Sequence, residues 1–80
     1  MKTLGNIPHP QMNITVFMWN NKYIIKFEAG PYEQVYKLDA GHFEHPDEVK
    51  ALITDSFCEA VISRFMEMNA GFSALMKNRA

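Results

Sequence analysis

An 80-residue chain with 48% hydrophobic residues is long enough for one compact domain over 1–80, too short for two, and too apolar for a disordered tail. Eight Lys plus Arg against nine Asp plus Glu give a formal net charge of −1. That balance excludes the basic footprint of a dedicated duplex-DNA binder, a polybasic membrane segment and an acidic tail.

Below about 80 residues a domain often leans on disulfides, a structural metal or a second subunit. The single Cys58 excludes an intramolecular disulfide and fits a reducing compartment. Residues 1–11 have no apolar core of secretory length, and the longest apolar run, Val16 to Trp19, is far short of a membrane span. The expectation is a cytoplasmic protein without a membrane partner.

In chain order, Pro8-His9-Pro10 holds the backbone extended and cannot start a helix, so residues 1–11 are expected to form an extended leader on the surface. From Met12 the even positions are Met12, Ile14, Val16 and Met18, a period of two that predicts a strand to Trp19. Asn20-Asn21 favours a two-residue type I′ turn because Asn tolerates positive φ, and Lys22 to Glu28 forms the return strand. That turn sets Met18 opposite Tyr23, Val16 opposite Ile25 and Ile14 opposite Phe27, which gathers the large apolar side chains on one face. Gly30-Pro31 breaks the ladder, and Tyr32 to Asp39 resumes as a third strand with Tyr36 and Leu38 toward the core. A three-residue loop would reverse that parity. The three strands occupy 12–39, and the first and third are the expected edges.

His45-Pro46-Asp47-Glu48 opens a helix, with Pro at its first position, acids at its positive end and Glu where a capping box needs it. Val49, Ile53, Phe57, Val61, Phe65 and Met68 recur at three- or four-residue spacing, which predicts one amphipathic helix over 46–70. Asn69-Ala70-Gly71 supplies the expected stop, with Phe72 folding back on Met66, and 72–80 is a short terminal segment with one helical turn. The fold class is therefore α+β, a three-stranded antiparallel meander packed on one long C-terminal helix. A helix of that length spans about 36 Å and the strands about 25 Å, so roughly 10 Å of amphipathic helix overhangs the sheet.

No residue pattern names a reaction. His42, Glu44, His45, Asp47 and Glu48 form the most ligand-like cluster, but their spacing matches no zinc motif and no third His or Cys lies nearby, so no metal is expected. Cys58 falls mid-helix, away from any helix start that would activate it, and reads as a structural thiol. There is no nucleophile elbow and no Gly-rich phosphate loop. Catalytic residues, cofactor and small-molecule substrate are all expected to be absent, and the chain is read as non-enzymatic.

What remains is the outer sheet face, where Phe17, Trp19, Ile24 and Val35 lie among Lys22, Lys26 and Lys37. These residues are the candidate interaction surface. An aromatic patch with few charges at its centre matches protein interfaces, and a small core gains stability from a partner. The expected role is self-association or protein interaction, a homodimer being its simplest form, through this patch or the helix overhang. The alternative is a stacking platform for single-stranded nucleic acid, with the aromatics under bases and the lysines on phosphates.

Overall fold

Two adjacent residues in the left-handed region, Asn20 at φ 53° and Asn21 at φ 60°, close the first predicted hairpin as a type I′ turn. A computed structural model describes residues 1–79. It holds four strands, β1 (Lys2–Ile7), β2 (Asn13–Trp19), β3 (Lys22–Ala29) and β4 (Tyr32–Asp39), joined in sequential antiparallel order. A 3-10 turn at Ala40–His42 leads to two helices, α1 (Pro46–Ala51) and α2 (Asp55–Lys77), on one face of the sheet. The architecture is α+β, with four strands where the sequence predicts three.

The β2–β3 register is the predicted one, with Met18 opposite Tyr23, Val16 opposite Ile25 and Ile14 opposite Phe27. Gly30, at φ 58°, and Pro31 form a two-residue turn that sets Ala29 opposite Tyr32. Tyr36 and Leu38 therefore lie on the core side, opposite Ile25 and Tyr23, with the expected parity. Gln34 shares that side. Its Nε2 donates to the Val61 carbonyl at 2.9 Å and its Oε1 accepts from the Tyr36 hydroxyl at 3.2 Å, so the half-buried amide has partners at both ends.

Three expectations need correction. Most of the leader is the fourth strand: β1 pairs with β2 from Lys2 opposite Met18 to Ile7 opposite Ile14, satisfying backbone groups that would otherwise lie open on the β2 edge. A bulge between Thr3 and Gly5 interrupts alternation there, which is why the pattern is faint in sequence. Gly5 sits at φ 154°, and the Lys50 ammonium reaches past it to the Leu4 carbonyl at 3.2 Å. A Cβ on Gly5 would come within 3.2 Å of that nitrogen.

The predicted 46–70 helix is two helices. Thr54 is extended, at φ −86° and ψ 166°, and its hydroxyl accepts from the Phe57 N–H at 3.2 Å, capping α2 afresh. The apolar spacing from Val49 through Ile53 to Phe57 continues across the break, and so hides it. The predicted stop at Asn69-Ala70-Gly71 lies inside α2. Asn69 Oδ1 accepts from the Tyr32 hydroxyl at 2.9 Å, and Phe72 meets the Tyr32 ring edge-on at 6.1 Å rather than folding back on Met66. These contacts offset the roughly 1 kcal/mol that Gly71 costs within a helix. The expected short segment from Phe72 onward is a continuation of α2 as far as Lys77, and Ala80 lies outside the described residues.

The core joins Ile14, Val16 and Phe27 of the sheet to Val49 and Val61 of the helices, all with essentially no exposed surface. Phe27 is at its centre, with the rings of Phe57 at 5.7 Å and Tyr36 at 5.9 Å.

Candidate association interface

The strand registers place all seven candidate residues on the outer face, since Phe17 lies opposite Ile24, Trp19 opposite Lys22, Ile24 opposite Lys37 and Lys26 opposite Val35. β1 lies edge-on in the sheet and α2 is on the core side, so neither terminal segment covers this face. Its apolar residues nonetheless do not form one open patch. Ile24 is only 5% exposed and Phe17 is half-buried, whereas Trp19 is 53% and Val35 47% exposed. Trp19 and Val35 are two strands and four residue steps apart, roughly 16 Å, too far to act as one anchor.

The electrostatics of the face are balanced. Lys22, Lys26 and Lys37 share it with Glu28, Glu33 and Asp39. The Lys26 ammonium lies 3.8 Å from Glu28 and 3.5 Å from Glu33, and Lys22 lies opposite Asp39. Such exposed pairs contribute little stability, but they remove the excess positive charge that a phosphate backbone requires.

A larger apolar surface lies on α2. Cys58, Val61, Phe65, Met68, Phe72 and Leu75 follow each other at alternating steps of three and four, one continuous stripe. The first three are buried under the sheet and the last three are exposed. Met66, at 68%, and Leu75, at 62%, are the most open of five large apolar side chains, the others being Met68, Phe72 and Met76. The cause is length: 23 residues of helix span about 34 Å and outrun the sheet beyond Tyr32. The molecule is accordingly elongated, 51 Å by 26 Å by 17 Å. Beside the stripe, an apolar groove of about 350 Å³ runs between Pro31, Tyr32, Ile62, Phe65 and Met66. The sequence predicts the overhang but ends the helix at residue 70, so Phe72, Leu75 and Met76 are absent from the predicted surface.

The side chains considered for catalysis or metal binding are used locally. His45 Nδ1 accepts from the Asp47 N–H at 3.1 Å, capping α1, and Glu48 accepts from the Glu44 N–H at 3.1 Å. His42 is exposed in the 3-10 turn. Among the described residues no three His, Cys, Asp or Glu side chains converge as a metal site would require. Burial pushes the Cys58 thiol above its ordinary range, with the Asp55 charge adding in the same direction, so it is held as the unreactive thiol. A polar cavity of about 480 Å³ lined by Asn6, His9, Asn13, Thr15 and Glu28 offers one imidazole, one carboxylate and one hydroxyl, with no hydrogen bond joining them. Among the described residues no helix is long and apolar enough to cross a membrane.

Comparison with known protein families, with curated proteins and with solved structures finds no match to this chain.

Proposed function

We propose that the chain is a non-enzymatic self-association module whose partner is a second copy of itself, and that the second half of α2 is buried when the copies pair. The observation that carries this is the unbroken apolar stripe on α2, half of it under the sheet and half in the open. Five large side chains at about 100 Å² each offer on the order of 500 Å² per copy. Two copies together reach about 1,000 Å², the lower bound for a specific interface. A second copy suits this surface because a net charge of −1 leaves little repulsion between copies, and a two-fold pairing covers the stripe of each copy equally.

Stacking of single-stranded nucleic acid on the outer face has less support. One open aromatic, Trp19, stands on a face whose three lysines are matched by three acids. Protein association through the same seven residues is supported only by Trp19 and Val35, which are far apart.

Self-association makes stability depend on concentration. Thermal unfolding followed at two chain concentrations a hundredfold apart should give a midpoint about 5–10 °C higher at the greater concentration, given the entropy of unfolding of a domain this size. A midpoint independent of concentration would contradict the proposal.

A further inference from the structure

Resting on the proposed self-association, the open edge of the sheet specifies where the second copy sits. β4 is an edge strand of eight residues whose backbone is not interrupted by Pro, Gly or a bulge, and its charges alternate in sign, Glu33 then Lys37 then Asp39. β1, the other edge, carries the bulge at Gly5 and is tied down by Lys50. The tight turn at Gly30-Pro31 makes Ala29 and Tyr32 a hydrogen-bonded pair, and hydrogen-bonded pairs recur at every second residue. The Ala40 N–H donates to the Asn21 carbonyl at 3.1 Å, continuing the same series at the far end. Tyr32, Gln34, Tyr36 and Leu38 therefore turn their backbone groups toward β3. The N–H and C=O groups of Glu33, Val35 and Lys37 point outward from the edge.

We infer that two copies join antiparallel through β4, with the two-fold axis at Val35. On the outer face Glu33 of each copy then lies opposite Lys37 of the other, and the exposed Val35 opposite its counterpart. On the core side Gln34 lies opposite Tyr36 and Tyr32 opposite Leu38. All outward backbone groups of the three central residues are paired, about six hydrogen bonds in total. Neighbouring registers lose the match. An axis at Tyr36 puts Glu33 against Asp39, and an axis at Gln34 puts Lys37 against Pro31 and Glu33 against Val35. Opposite charges directly across a pair are favourable and like charges are not, so the sequence of β4 selects the Val35 register.

This pairing also gives the overhang a place. It puts both α2 helices on the same face of one continuous sheet, running antiparallel. The end of α2 that leaves the sheet beyond Tyr32 points toward the Leu38 end of the second copy. There Leu38, the exposed Leu52 and Ile53 line an apolar cavity of about 190 Å³.

Val35→Cys tests the register, in a Cys58→Ala background that leaves the new thiol alone. A hydrogen-bonded antiparallel pair holds its Cα atoms about 5.5 Å apart, within the span of a disulfide. Mild oxidation of the full chain should convert most of it to a covalent dimer on a non-reducing gel. Glu33→Lys should weaken association about tenfold, and adding Lys37→Glu should restore it. A chain that dimerises in solution but neither cross-links at Val35→Cys nor responds to the charge exchange overturns the β4 pairing while leaving self-association standing. A chain that is monomeric at every concentration overturns both.

Discussion

Replacing Phe27 with alanine should destabilise the fold by about 3–5 kcal/mol, close to the entire stability of a domain of this size. The ring has no exposed surface and is closed in by Tyr36, by Phe57 and by Ile14 across the sheet. Its neighbours cannot collapse into the space it leaves. Ile14 and Tyr36 are fixed on strands paired on either side of β3, and Phe57 is held by the cap at Thr54. Lost transfer energy and an unfilled cavity then add. Urea unfolding followed by circular dichroism should show the midpoint fall by most of its wild-type value. A loss under about 1 kcal/mol would mean that Phe27 is not the centre of the core.

The second large effect concerns association. Leu75→Lys combined with Met76→Lys should weaken pairing about a hundredfold, equivalent to about 2.7 kcal/mol, because two apolar side chains per copy are replaced by charges that resist desolvation. The isolated chain should keep its helix. Both positions are exposed, and lysines in the last turn suit the negative end of the helix dipole. Circular dichroism unchanged from the wild type, together with sedimentation at the monomer mass, is the expected result. Unchanged association would remove the overhang from the interface.

Much of the fold was legible because two signals agreed at each point. Asn20-Asn21 specifies a tight turn, and the register that turn imposes also sorts Ile14, Val16, Ile25 and Phe27 onto one side. The missed features are those where a tertiary contact outweighs a local signal. β1 contains a bulge at Gly5, so its alternation is broken at the residue that lets Lys50 reach the Leu4 carbonyl. Thr54 is a good cap, but its neighbours Ile53 and Phe57 keep helical spacing and mask the start of α2. Asn69-Ala70-Gly71 has the composition of a helix end, yet Asn69 and Phe72, 37 and 40 positions from Tyr32 in the chain, both meet it, and α2 continues through them.

The candidate surface was legible in composition and less so in geometry. The seven outer-face residues share one face, but Ile24 is covered by its neighbours and the lysines are balanced by acids whose positions depend on register. An overhang follows from the mismatch between helix and strand length, which the sequence contains. Its extent depends on where α2 stops, and α2 runs through the apparent stop at Asn69-Ala70-Gly71 to Lys77.

Sedimentation equilibrium of the unmodified chain, from micromolar to near-millimolar concentration, tests the central claim most directly. Self-association predicts a weight-average mass that climbs from 9.2 kDa toward twice that value and levels off there. A mass of 9.2 kDa across the whole range would contradict it.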